Sequence, residues 1–522
     1  MRSRKALMNT MAAILYEMTA IICGFIVPKL ILDTLGSQYN GLTSSITQFL
    51  GYVSLMRAGI GGVTRAALYK PLANNDMDGV SAIVNATEKF LKRVSGIFAI
   101  SLVGFACVYP FFVRQNNENG ETFSWFFTFS LVLIIGISTF VQYFFGLTYQ
   151  MLLNSDQRQC VISFVQIGTI ILNTVIAAVL LKLGASIHIV KLGSAIAFSL
   201  NPIVINLYAR KKYKINKKIP PNNDAIKDRW DCFGLQVANF VNANTDMFIL
   251  TLFCRIEIVS VYTVYYMVTS GIRKFIMTFV NGIGAAFGNM FAKKEMDAVH
   301  ENLRLFELIT FSMTNFLFSV TGSMILSFVG IYSTGIKDAG AVDYIQPAFA
   351  FVLVIGTMFM AYRIPYQTVV EAVGHFRQTR NGAFFEAIMN IVVSVVLVIF
   401  FGLIGVAIGT LCATVFRTFQ YATYMSKNLV KRSLWFLIKR LILSAVDFLI
   451  VIAFSFAMHF ESPSGYMQWV IQALIMSFAA GIVVFGTEII FYNKDLKLTI
   501  KKIKGAVFKK FKKKKKTADT AS

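Results

Sequence analysis

The sequence predicts an all-α polytopic membrane protein, and three observations carry that reading. Hydrophobic residues make up 56% of the 522 positions, with 49 Phe, and only 15% are charged. The mean hydropathy is +0.63. The apolar residues also gather into runs of the roughly 20 residues that cross a bilayer as a helix. Separate water-soluble cores could not bury so much apolar surface. The formal net charge of +24 invites a nucleic-acid reading. The basic residues, however, lie between the apolar runs and in a C-terminal tail, with no zinc spacing or recognition helix, so no nucleic-acid partner is expected.

The first run, near 6–30, carries Glu17 and continues to Pro28 without a small-residue cleavage site. It reads as a first spanning helix and not as a removed signal. Further spans fall near 42–63, 94–113, 123–148, 160–182, 187–208, 232–253, 258–288, 304–329, 343–368, 381–401, 404–426, 435–458 and 466–492. Fourteen spans place both termini on one side. Lys and Arg choose that side, because cytoplasmic connections retain positive charge. With the N-terminus inside, the inner connections hold RSRK, Arg65 to Arg93, Arg158, ARKKYKINKK, Lys293/Lys294, Arg377/Arg380 and KNLVKRSLWFLIKR. The outer helix ends keep only Lys29, Arg114, Lys182, Lys191, Arg255 and Lys337, so both termini are expected in the cytoplasm. The tail from Lys494 to Lys516 carries twelve lysines, with Ile500, Ile503, Val507 and Phe511 on one helical face. Two readings of it stand: an amphipathic helix on the anionic lipids of the inner leaflet, or a solvated charge run that only orients the protein.

Sliding the chain on itself brings out a repeat. SQYNGL at Ser37 falls on SVYTVY at Ser260 at an offset of 223, Gly59-Ile-Gly61 falls on Gly282-Ile-Gly284 at the same offset, and Arg158-Gln159 falls on Arg377-Gln378 at 219. The expected organisation is a six-helix bundle over 1–229, a second over 230–430, two appended spans over 431–493 and the tail over 494–522. An even number of helices per unit makes these parallel repeats. Such halves enclose a central cavity and suit alternating access.

A charge at membrane depth costs about 2.5 to 3.5 kcal/mol on insertion scales and is normally turned inward. The interior cations are Arg57, Arg273, Lys274, Arg363 and Arg417. One reading is snorkelling toward the inner interface. The other is an electropositive cavity whose guanidinium forks bind an anionic headgroup such as a diphosphate. Polar stripes adjoin Arg57 (Thr43, Ser44, Thr47, Gln48) and Arg273 (Tyr262, Tyr266, Thr269), and the tyrosines could stack on sugar faces. The interior acids and amides Glu17, Asn242, Asp246, Glu386 and Asn390 are candidates for binding Na⁺ or exchanging a proton. An internal salt bridge such as Glu17 with Arg57 is the competing reading. Six scattered cysteines read as packing residues, and four distant histidines offer no metal-ligand spacing, so no cofactor is expected beyond a coupling ion. There is no phosphate-binding G-x-x-x-x-G-K-[ST] segment and no connection long enough for a catalytic domain, which argues against an enzyme.

The segments FIVPKLILDTLG around Pro28, YNGL, RAGIGGVTRA and LLNSDQRQ resemble the polysaccharide flippase family, the Wzx-type transporters of lipid-linked oligosaccharides, within a superfamily that includes multidrug (MATE) exporters and lipid II flippases. The resemblance covers spans 1 to 12. It implies a V-shaped pair of six-helix bundles in a bacterial cytoplasmic membrane. The substrate it implies is an undecaprenyl-diphosphate-linked glycan moved to the outer leaflet, with ion coupling and glycan-assembly enzymes as partners. Cavity arginines on spans 1, 2 and 8 in relatives would correspond to Arg57 and Arg273, with Glu17 in place of the arginine on the first span. A Na⁺ site between spans 7, 11 and 12 would point to Asp246 and Asn390. A cation-coupled multidrug exporter is the alternative.

Overall fold

The computed structural model describes residues 2–53, 60–114, 123–226, 244–280, 283–337 and 342–498. Every regular element among these residues is helical, as the hydropathy requires. In order they are α1 (Arg2–Thr34), α2 (Ser37–Val53), α3 (Ile60–Ala73), α4 (Met77–Arg114), α5 (Trp125–Val141), α6 (Leu147–Ser155), α7 (Gln159–Lys182) and α8 (Ile187–Lys212). There follow α9 (244–253), α10 (Ile256–Val280), α11 (Ile283–Ala292), α12 (Met296–Ser333), α13 (Pro347–Tyr362), α14 (Ile364–Ala372), α15 (Phe376–Phe401), α16 (Leu403–Met425), α17 (Trp435–Ala457) and α18 (Tyr466–Phe491). Ten helices among the described residues are long and apolar enough to cross a membrane. The segments predicted at 42–63, 232–253, 258–288 and 435–458 also fall on helices wherever they are described.

Two helices are much longer than the apolar windows that predict them. α4 and α12 each run 38 residues, about 57 Å at 1.5 Å per residue, nearly twice the hydrocarbon thickness. Their polar first halves contain no proline, so the helix continues where hydropathy alone marks no span. The tail beyond 498, where the amphipathic helix is expected, lies outside the described residues.

The chain forms two compact units. The first comprises Met1–Gly271, Tyr332–Phe349 and Ala383–Thr410; the second comprises Ile272–Ile331, Ala350–Gly382 and Leu411–Ser522.

In the first unit, α3, α4, α6, α7 and α8 bury a cluster that includes Leu68, Val84, Tyr149, Leu152, Ile162 and Ile205. A wider π-type turn at Gln142–Gly146 joins α5 to α6, and Asn206 Nδ2 donates to the Phe145 carbonyl there at 3.1 Å. Pro202 packs on this turn so closely that a Cβ on Gly146 would lie 2.3 Å from the Pro202 Cβ. The LLNSDQRQ segment is a tied corner: Arg158 pairs with Asp156 at 2.7 Å, Tyr213 donates to the same carboxylate, and Asn9 bridges the Gln157 carbonyl and the Cys160 amide. Burial and the bond to Asp156 push the Tyr213 phenol well above its usual range.

α15 and α16 cross within the same unit at a G-x-x-x-G step. A Cβ on Gly405 would fall 2.2 Å from the Leu397 carbonyl oxygen, and one on Gly409 would fall 2.1 Å from Ser394 Oγ. Small residues permit this kind of backbone approach between membrane helices.

In the second unit, α12, α17 and α18 meet around Met324, Val451, Met476 and Ala480. Polar groups fasten the three together. Asp447 accepts from Asn315 at 3.2 Å and from Thr487 at 2.5 Å, and Ser312 donates to Glu488 at 2.8 Å. Glu307 is flanked by Arg432 and Arg440.

Gly409→Ala is expected to lower stability by about 1–3 kcal/mol through overpacking, read as a reduced Tm of the purified protein in detergent. A Tm equal to the parent's would show that the α15–α16 crossing is looser than this geometry.

Candidate functional site

The polar stripe on α2 is a seam against the stretch that runs through α9 into α10, all within the first unit. Gln38 donates to Glu257 at 3.0 Å, Asn40 to Ser260 at 2.7 Å, Ser45 and Thr251 share a hydrogen bond of 2.9 Å, and Gln48 donates to Asn244. Near one end of this seam the backbones nearly touch: a Cβ on Gly41 would lie 2.1 Å from the Ile256 carbonyl oxygen. Tyr109 of α4 adds a bond to Ser45 at 2.7 Å. In the absence of water such hydrogen bonds act as glue between helices. Of the stripe that sequence reading assigned to a cavity beside Arg57, Gln48 is therefore an interhelical contact, whereas Thr43 and Thr47 bond back to their own helix. Arg57 and Asn242 themselves lie outside the described residues.

Asp246 sits at the start of α9 and is 8% exposed. One carboxylate oxygen accepts from Thr410 Oγ1 of α16 at 2.6 Å and the other from the Tyr262 hydroxyl of α10 at 3.1 Å. The Asn390 amide of α15 adjoins the same carboxylate, and Asn390 Oδ1 accepts from Ser394 at 3.0 Å. Tyr262 stacks on Tyr266 with ring centroids 5.5 Å apart. The α15–α16 glycine crossing described above brings Thr410 and Asn390 to this point. No Lys or Arg among the described residues forms an ion pair with Asp246. The result is a buried acid answered only by hydroxyl and amide groups, an oxygen-rich set of the kind hard cations take and an equally good proton acceptor.

The remaining predicted residues are dispersed. Glu386 is buried one turn before Asn390 on α15. Glu17 is partly buried on α1 with no ion-pair partner among the described residues. Arg273 is partly buried in the second unit, with no hydrogen-bond or ion-pair partner among the described residues, and Lys274 beside it is exposed. Arg417 is buried and fully engaged. It donates to the Thr379 carbonyl at 3.0 Å, to Gln420 at 2.5 Å and to the Tyr421 hydroxyl at 2.9 Å, and it lies 4.1 Å from the Tyr421 ring centroid. Gly382 makes room for it. Arg363 stands at the break between α13 and α14.

Sequence reading overlooked Thr410, Tyr362 and Asp447. The G-V-A-I-G step at Gly405 to Gly409, one residue before Thr410, was the available signal for the first. Asp447 lies within the span expected at 435–458 but was not among the interior acids singled out there; Tyr362 reaches it through Asn315. No group of three or more His, Cys, Asp or Glu able to hold a metal ion occurs among the described residues.

Thr410→Val removes the shorter of the two hydroxyl donors to Asp246 without changing side-chain shape. It is expected to destabilise the protein by about 1–3 kcal/mol, the cost of an underbonded buried acceptor, visible as a lowered Tm. An unchanged Tm would mean that the cluster is not formed as described.

No known family profile matches the chain, and no curated protein matches it in sequence. Solved structures do match it in fold. The lipid II flippase MurJ in an inward closed conformation aligns with a TM-score of 0.67 at 15% identity, covering 94% of this chain and 99% of its own. An inward-facing multidrug resistance MATE family transporter of the MOP superfamily aligns at 0.63 and 15% identity, covering 78% and 95%. A MOP superfamily transporter from Pyrococcus furiosus Vc1 (DSM3638), described as having a binding pocket of reversed polarity, aligns at 0.58 and 13% identity, covering 82% and 96%. These neighbours are transporters and a flippase, not enzymes. The chain thus has the fold of MATE-type MOP transporters and of the MurJ flippase, and its many apolar helices make it a multi-pass membrane protein.

Proposed function

We propose that this protein is a flippase. It carries an undecaprenyl-diphosphate-linked oligosaccharide from the inner to the outer leaflet of a bacterial cytoplasmic membrane by alternating access, driven by a Na⁺ or H⁺ gradient. The observation that carries this reading is the breadth of the likeness to a lipid II flippase, 94% of the chain, against 78% for the multidrug transporter. On this reading the chain has fourteen spans, two parallel six-helix repeats and an appended pair, with both termini cytoplasmic and the basic tail on anionic inner-leaflet lipids.

Each part of the site then has a task. Arg273 and Arg57, with Lys274 beside the first, hold the diphosphate as bidentate or point-charge partners. Arg417 contributes less, because its donors are already engaged within the second unit. Tyr266, stacked on Tyr262, offers an aromatic face to sugar. Asp246, with Thr410, Asn390 and Tyr262, is the coupling site; Asn242, Glu386 and Glu17 are the further candidates near it in the chain or in chemistry. The α2 seam is the gate. It pairs the first repeat with the second through hydrogen bonds that water can replace once the helices part. A cation-coupled multidrug exporter is the second reading, favoured by the 0.63 likeness to a MATE transporter.

In cells whose own flippase is deleted, the parent protein is expected to restore surface glycan, and Arg273→Ala to lower export about 10- to 100-fold, the value of a charged hydrogen-bonded contact, while membrane insertion stays normal. Undiminished export by Arg273→Ala would remove the arginine grip. Ethidium efflux by the parent without glycan export would establish the exporter instead.

A further inference from the structure

The first unit contains a cavity of about 310 Å³ that the transport reading does not use. It lies among α1, α2, α5, α7 and α8 and is lined by Val27, Thr47, Ser138, Thr139, Gln142, Asn173, Lys191, Ser194 and Phe198 among others. Sequence reading placed Lys191 at an outer helix end. In the fold α8 begins at Ile187, so Lys191 lies about 6 Å along the helix and its side chain lines the cavity.

Three features mark a ligand site. The Lys191 ammonium has no hydrogen-bond or ion-pair partner among the described residues, and no Asp or Glu among them lines the cavity. A half-buried cation in such a place lacks a counter-charge. Asn173 is 8% exposed, and its side-chain oxygen has no hydrogen-bond partner. Buried amides are almost always satisfied, and the exceptions call for an explanation. Finally, Gln142 opens the π-type turn, a distortion that recurs at functional sites, and Pro202 leaves the Phe198 carbonyl without its helical donor. The remaining lining hydroxyls surround one positive charge with groups that both donate and accept.

We propose that the Lys191 cavity binds a small organic oxyanion of about monosaccharide size, a carboxylate or phosphoryl group paired with the ammonium and hydroxyls paired with Asn173 and Gln142. The volume is at the lower end for ligand pockets and admits one sugar ring. The site lies wholly within one unit and does not depend on the flippase reading.

The test is thermal unfolding of the purified full-length protein in detergent, at constant pH and ionic strength, with sodium glucuronate, sodium phosphate, glucose or sodium chloride added. Glucuronate or phosphate is expected to raise the Tm by about 2–4 °C, and glucose and chloride to leave it unchanged. A response to glucuronate identifies a sugar-acid carboxylate, and one to phosphate a phosphoryl group. Lys191→Met should abolish the rise while its ligand-free Tm equals or exceeds the parent's, since a half-buried unpaired charge is gone; Lys191→Arg should retain part of it. Absence of any rise in the parent, an equal rise with glucose or chloride, or a rise that survives in Lys191→Met would overturn the proposal. Because the readout is stability, failure of the transport function would leave it unaffected.

Discussion

The close approach of α2 to the stretch from α9 into α10 is the constraint on which the rest of the site depends. Gly41 brings a backbone against the Ile256 carbonyl at a distance that no side chain allows, and the hydrogen bonds of Gln38, Asn40, Ser45 and Gln48 then fall into place along one helical face. The segment so positioned is the one that carries Asp246 and Tyr262. A glycine in α2 thus fixes where a carboxylate on another helix stands, and a second pair of glycines, Gly405 and Gly409, brings Thr410 and Asn390 to meet it.

The buried acids of the two units are handled differently, and the difference bears on function. Glu307 has Arg432 and Arg440 as counter-charges, and removing either partner would strand a charge; such arrangements hold helices together. Asp447 takes donors from α12 and α18 and binds the last two helices to the second unit. Asp246 has neither a counter-charge among the described residues nor a role in joining an appended helix. A membrane-embedded acid of that kind is costly without a proton or cation, which makes it the natural place for a gradient to act.

Much of the fold was legible in the sequence, because a bilayer imposes a length and a polarity that hydropathy reads directly. Helices α7, α8, α15, α17 and α18 begin and end within a few residues of the expected spans. The long polar starts of α4 and α12 were not legible, since nothing in hydropathy marks a helix that continues into water. The site was legible in part, by residue type and through the resemblance that pointed to Asp246 and Asn390. Asp246 and Asn390 stood out as polar groups at depth, yet their meeting depends on glycine crossings that no periodicity announces. Within the stripe of Thr43, Ser44, Thr47 and Gln48 the sequence does not tell Gln48, which bonds another helix, from Thr47, which lines a cavity, because polar residues in a membrane helix look alike in either place. Arg417 is alike in this: only the positions of Thr379, Gln420 and Tyr421 show that its donors are engaged. Lys191 was missed because charge counting assigned it to a surface.

The proposed transport cycle requires the α2 seam to open at every turn. The most direct measurement of that opening is glycan export by a protein carrying Asn40→Cys and Ser260→Cys in a background free of the native cysteines, two positions whose native side chains are 2.7 Å apart. Oxidation to the disulfide should stop export and reduction should restore it, with each single cysteine variant insensitive to both treatments. Export that continues at full rate with the disulfide formed would contradict the account, because the helices would then carry substrate without parting.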